Sequence, residues 1–253
     1  MSDFYPWKSV WITGASTGLG REIAVKLAQA GVKVAVSARS KDKLESLAAS
    51  YDAIRPYALD VSDPAAVQKV VQNIEAELGP LDLALFNAGT YEPEGAFDLN
   101  SESFRRTVSV NYLGAVDGVL AVLPAMKERG VGHVAVVASV AGYRGLPRAA
   151  AYGSTKAALI HFAESTAPEL KRAGITMSVV NPGFVETPLT AKNDFPMPFI
   201  MDVDAAADRV LSGLEAGKFE VAFPRRFVMI LKTLRMLPYS LYFKIMDRWV
   251  VRK

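Results

Sequence analysis

The 253-residue chain is 51% hydrophobic and 22% charged, the composition of a folded globular protein and not of a disordered one. With no cysteine and only two histidines, His133 and His161, disulfides, thiolate nucleophiles and Cys- or His-rich metal centres are excluded; redox chemistry would need a bound organic cofactor. The formal charge of +3 is uneven: residues 224–253 hold eight basic side chains against one acid, Asp247, a balance of +7 that leaves −4 on the rest.

The first residues, MSDFYPWK, carry an acid and neither a basic leader nor a long apolar run, so they do not read as a secretory signal and a cytoplasmic location is expected. No run of about eighteen uncharged apolar residues occurs, which argues against a transmembrane helix. Apolar, mostly valine-rich runs recur at 9–13 (SVWIT), 32–38 (VKVAVSA), 54–59 (IRPYAL), 81–86 (LDLALF), 132–138 (GHVAVVA), 175–180 (ITMSVV) and 219–223 (FEVAF), with helical periodicity between them. Strands apolar on both faces belong to a parallel sheet covered by helices. The predicted fold is α/β: a single doubly wound, Rossmann-type parallel sheet with helices on both faces over residues 1–223, followed by a basic amphipathic extension over 224–253. Ligands of such sheets bind beyond the carboxyl ends of the strands, where strand order reverses.

The first strand runs into Thr13-Gly14-Ala15-Ser16-Thr17-Gly18-Leu19-Gly20, and residues 21–30 have helical character. Glycines let the backbone turn tightly against a pyrophosphate, and the N–H groups and positive dipole end of the helix bind its charge. Gly14, Ser16, Thr17, Gly18, Leu19 and Gly20 are therefore candidate cofactor contacts. The spacing TGxxxGxG resembles that of the short-chain dehydrogenase/reductase family. At the end of the second strand, where an NAD site would offer an acid to the ribose hydroxyls, stands Arg39; it suits a 2′-phosphate and points to NADP(H) over NAD(H), although a solvated arginine reads the same way. The resemblance further implies that Asp60 and Val61 lie beside the adenine and that Asn87-Ala88-Gly89 is a turn stabilising the central sheet. Taken alone, Asp60 or Asp63 could equally cap a helix beginning near Pro64.

Ser139 follows the fifth strand, and Tyr152 and Lys156 stand four apart in a helical segment over 149–170, hence on one helix face. An unperturbed phenol titrates near 10 and is a poor proton carrier at neutrality. An ammonium ~4 Å away, at an effective dielectric near 20, would lower it by about three units. The expected chemistry is hydride transfer at C4 of a nicotinamide, with Ser139 bonding the substrate oxygen, Tyr152 as acid/base, and Lys156 acidifying Tyr152 and holding the nicotinamide ribose. The resemblance adds Asn111, in a distorted helix, as part of a proton relay. It also implies that Pro182-Gly183 sets the exposed ring face, with Val185 and Thr187 on the carboxamide. The glycine turn, NAG, asparagine, serine, YxxxK and Asn181-Pro182-Gly183 occur in the family's order, over about residues 8–223. Two other readings share the fold: an epimerase or dehydratase, and a nucleotide-binding sensor without turnover.

Residues 188–201 are too proline-rich for a helix and too apolar for a plain loop; the family's substrate lid falls here. Phe195, Met197, Phe199 and Met201 could line an apolar pocket or pack on the body. The tail alternates basic and large apolar residues, with Pro238 between two short helices. It could lie on an anionic membrane surface as a peripheral contact, or pack on the enzyme or a neighbouring subunit. Nucleic acid is not an expected partner, since the basic residues are interleaved with aliphatic side chains that need burial. The resemblance implies a small-molecule substrate and a homodimer or homotetramer, with helices around 101–129 and 149–172 as interface candidates.

Overall fold

The computed structural model describes residues 5–248; Arg252 and Lys253 of the basic tail lie outside them. Seven strands, β1 (Ser9–Thr13), β2 (Lys33–Ala38), β3 (Ile54–Ala58), β4 (Leu83–Phe86), β5 (Gly132–Val137), β6 (Ile175–Pro182) and β7 (Glu220–Phe223), form one sheet in the order β3-β2-β1-β4-β5-β6-β7. Every pairing is parallel. Each strand falls on one of the apolar runs: the central strands are apolar because both their faces are buried, whereas the edge strand β3 is exposed at Arg55, Pro56 and Ala58.

Successive strand residues feed opposite layers. Val10, Ile12, Leu83 and Leu85 join the core beneath α1 (Gly18–Gln29), α2 (Lys41–Ala49) and α7 (Val203–Glu215). Trp11, Ala84, Phe86, Val134 and Val136 join the core beneath α3 (Pro64–Leu78), α5 (Gly114–Arg129) and α6 (Ala150–Arg172). The strand order reverses between β1 and β4, so their carboxyl ends diverge and open a crevice.

Helix α4 (Ser101–Val108), a π-helical turn (Ser109–Leu113) and α5 run on as one helix. By length and composition, the stretch Ser101–Arg129 could cross a membrane. Here Ala115, Val119, Val122 and Met126 belong to the core layer on the sheet, which accounts for its apolar character.

The chain closes with α8 (Arg225–Met236) and α9 (Tyr239–Met246), separated at Pro238 as expected. Phe227, Val228 and Leu231 complete the core on the α6 side. Tyr242 and Met246 are also buried. The Tyr242 hydroxyl donates to the Gly145 carbonyl, and the Arg144 guanidinium lies over the rings of Tyr239 and Tyr242, at 4.6 and 4.4 Å from their centroids.

Candidate active site

The glycine turn sits at the carboxyl end of β1 and leads into α1. Gly14 has φ +70°, and a Cβ there would lie 2.7 Å from the Ala88 Cα; a side chain would be strained and would push the turn after β4 away. The Asn87 amide locks the same junction, donating to the carbonyls of Thr13 and Gly14 at 3.1 Å each. A Cβ at Gly20 would meet that amide at 2.4 Å. Gly20 therefore serves close packing behind the turn and does not line the cleft, unlike Gly14, Ser16, Thr17, Gly18 and Leu19.

A cleft of about 550 Å³ runs from this turn across the carboxyl ends of the strands. Arg39, Asp60, Val61, Asn87, Ala88, Gly89, Ser139, Tyr152, Lys156, Pro182, Gly183, Val185 and Thr187 all line it. At α1 the N-cap Thr17 makes no side-chain cap hydrogen bond and the first turn carries no acid, so N–H groups at the cleft await an external acceptor. By contrast, α3 is capped by Asp63, which accepts from Ala65 and Ala66 at 3.0 and 3.1 Å. Asp60 is free of that duty. Bonds from the Ser62 hydroxyl and N–H hold its carboxyl below the usual range, with Arg39 adding its charge.

At the other end of the cleft the polar groups are buried. Ser139 donates to the Pro182 carbonyl at 3.3 Å and accepts from the Ala141 N–H at 3.1 Å. Tyr152 and Lys156 share one face of α6, with the amine 5.5 Å from the centre of the phenol ring. The ring edge of Tyr91 packs on Tyr152 at 5.0 Å. Asn111, fully buried, stands behind the cleft wall. The π turn inserts one residue into the helix and points Asn111 inward. Its amide accepts from Thr90 N–H at 2.7 Å and donates to Thr90 C=O at 2.9 Å and to Thr155 at 3.3 Å, fixing the segment after Gly89.

Burial is the main influence on the Tyr152 phenol, and it acts against the expected acidification. Desolvation pushes the phenol up to about 12, with a hydrogen bond from Ser139 pulling the other way. Desolvation pushes the Lys156 ammonium down to about 7. The amine donates to the Val137 carbonyl at 2.7 Å. Burial of both groups outweighs the attraction anticipated between them.

Of the two arrangements open to the lid segment, contact with the body is mainly the one observed. Phe195 packs edge-on against Phe184, Phe199 lies over Phe227 of α8, and Met197 accepts from the Asn193 amide. Met201 pairs with the backbone of Phe184 and Glu186. Phe195, Phe199 and Met201 thus contact the body, Phe199 remaining exposed, while Met197 bonds within the segment; the cleft is faced by Pro188, Leu189, Thr190 and Lys192. Two ion pairs fasten the segment: Lys192 to Glu92 at 2.6 Å, and Arg148 to Asp194 through both carboxylate oxygens at 2.7 and 3.2 Å. Glu92, Lys192 and Arg106 at the cleft rim have no sequence signature, since Glu92 pairs with Lys192 a hundred residues away and with Arg106 from a separate helix.

The family model for the short chain dehydrogenases matches residues 8–196. An "Uncharacterized oxidoreductase" of Myxococcus xanthus is 38% identical over 240 residues, 93% of this chain and 95% of the relative. A short-chain dehydrogenase from Streptomyces avermitilis superposes with a TM-score of 0.84 at 26% identity, covering 97% of this chain and 98% of that one. The 3-ketoacyl-(acyl-carrier-protein) reductase from Brucella melitensis, complexed with NADH, gives a TM-score of 0.78 at 29% identity over 85% and 96% of the two chains. With the family model covering well over half its length and a relative 38% identical over nearly the whole chain, the chain belongs to the short chain dehydrogenases, a family of NAD(P)-dependent oxidoreductases.

Proposed function

We propose that the protein interconverts a carbonyl and a secondary alcohol on a substrate with an apolar body, using NADP(H) in preference to NAD(H). The observation that carries this reading is the single cleft joining the uncapped start of α1 to Ser139, Tyr152 and Lys156. Its size and glycine-lined floor fit a dinucleotide. When bound, the nicotinamide supplies the carbon that gives or accepts hydride.

The chain's own residues supply positioning and the proton. Ser139, already buried and oriented by Ala141 N–H, turns its hydroxyl proton from the Pro182 carbonyl to the substrate oxygen and holds it toward Tyr152. The Tyr152 phenol, pushed up and therefore protonated at neutral pH, gives its proton to the oxygen during reduction and takes it back during oxidation. Lys156, pushed down to about 7, is half charged at neutrality. It gains or loses a proton beside the phenol at little cost, and Asn111 holds the adjoining Gly89-Thr90 backbone in place. Val110, Pro188 and Leu189 on the cleft wall favour an apolar substrate body.

Arg39, exposed at the end of β2 and at the cleft, supports the 2′-phosphate preference. Exposed Leu113 and Leu120 on the α4–α5 helix support pairing of two copies into a homodimer or a larger homo-oligomer. Nicotinamide absorbance, followed with NADPH or NADH against ketones of increasing apolar size, tests the reading. NADPH-linked turnover rising with apolar size is expected, and Arg39→Asp should reduce the NADPH:NADH preference by about tenfold or more. An unchanged preference would overturn the coenzyme assignment, and no turnover with any carbonyl would overturn the reaction.

A further inference from the structure

Packing on the body accounts for only half of the apolar residues in α8 and α9. Phe227, Val228, Leu231, Tyr242 and Met246 face inward, while Met229, Ile230, Met236, Tyr239, Leu241 and Phe243 remain exposed, Met236 at 78% and Met229 at 69%. Tyr239 stacks on Phe243, with centroids 5.7 Å apart, so part of this outer face is already a formed aromatic surface. Next to it, the lid residue Phe199, itself 42% exposed, lies over Phe227 of α8, which brings the outer apolar surface to the side of the substrate segment.

The charge on this element is of one sign. Arg225, Arg226 and Arg235 on α8, Lys244 on α9 and Arg248 just past α9 are exposed, and Asp247 is the only acid between residues 224 and 248. A second copy of the chain seated here about a two-fold axis would set basic residues against basic residues. A nucleic acid would neutralise the charge and leave the large aliphatic side chains in water. A bilayer surface containing anionic lipid meets both demands: apolar side chains enter the acyl boundary and basic ones stay at the headgroups.

We infer that the outer face of α8 and α9 docks the enzyme on an anionic membrane surface, with the lid side of the substrate cleft turned toward the bilayer. The anchoring of Arg144 between Tyr239 and Tyr242 holds that face rigidly to the loop preceding α6, so the surface is formed before any lipid arrives.

Cosedimentation of the full chain with vesicles of phosphatidylcholine, with or without about a third phosphatidylglycerol, tests this. The parent should sediment with the anionic vesicles alone, and less so as salt is raised. Ile230→Ser combined with Phe243→Ser, and separately Arg225→Gln combined with Arg226→Gln, should each cut the bound fraction by about tenfold while NADPH-dependent thermal stabilisation is retained. Parent protein left in the supernatant, or variants sedimenting like the parent, would overturn the inference. So would light scattering showing that the serine variant separates an oligomer with no vesicle binding, which would make the face a contact between copies.

Discussion

Strand β5 has a buried nitrogen base at each end, and burial leaves the two in different states. At the amino end His133 lies 7% exposed with its Nε2 2.9 Å from the Ser178 hydroxyl, and desolvation pushes it down to about 4. At the carboxyl end Lys156, 3% exposed, donates to the Val137 carbonyl, and the same cause pushes it down to about 7. His133 is thereby neutral throughout the working range, bonded to Ser178 and packed beside the Trp7 ring, a structural group at the amino end of the sheet. Lys156 is brought into the working range and lines the cleft. Desolvation shifts any buried base downward; only the base that starts high and ends at the open end of the sheet becomes a proton carrier near neutrality.

The largest effect expected from breaking this comparison follows removal of the Lys156 charge. Lys156→Met should lower turnover by about 10²- to 10⁴-fold and at the same time stabilise the nucleotide-free protein. The folded amine titrates at about 7 and the unfolded one near 10.4, so between those values the unfolded chain binds more protons and stability rises with pH. At pH 7 the parent forfeits about 4 kcal/mol by this linkage. Chemical denaturation at pH 7 and pH 10 should show stability climbing in the parent and level in the variant; equal slopes would show that the amine is not desolvated.

At the other end of β5 the window is acidic. His133 is neutral in the fold down to about 4, while the unfolded side chain protonates below about 6.5. Stability is therefore lost as pH falls from about 6.5 to about 4, by roughly 3 kcal/mol across the window. His133→Asn should flatten that part of the profile without altering the pH dependence of turnover, which separates the structural base from the functional one. The smallest effect belongs to the lid. Releasing the exposed Arg148–Asp194 pair with Asp194→Ala should raise KM about two- to fivefold and leave kcat nearly unchanged; a loss in kcat alone would mean that the pair acts on the chemistry.

The central strands were legible because burial on both faces leaves no room for polar alternation, and each of the seven apolar runs became a strand, the largely exposed edge strand β3 included. The turn at Gly14 and the shared face of Tyr152 and Lys156 were legible because each depends on spacing within a short segment; the Asn87 lock, which spans more than seventy residues, was expected only through the family resemblance. What depended on distant segments was not. The direction of the Lys156 amine is set by a carbonyl nineteen residues away on another element. The lid's fastening joins Lys192 to Glu92, and its four large apolar residues have a spacing that suits a pocket and a packing contact equally. The tail was ambiguous for a physical reason: both faces of α8 and α9 are apolar, so packing on the body and exposure of an apolar surface hold together.

Hydride transfer in a single turnover, measured beside nucleotide binding for the parent and Tyr152→Phe, tests the account most directly. Loss of only the hydroxyl should slow transfer by about 10²- to 10⁴-fold with nucleotide affinity essentially retained, since the phenol moves the proton and the glycine turn and its helix hold the coenzyme. Transfer at the parent's rate in Tyr152→Phe would contradict it.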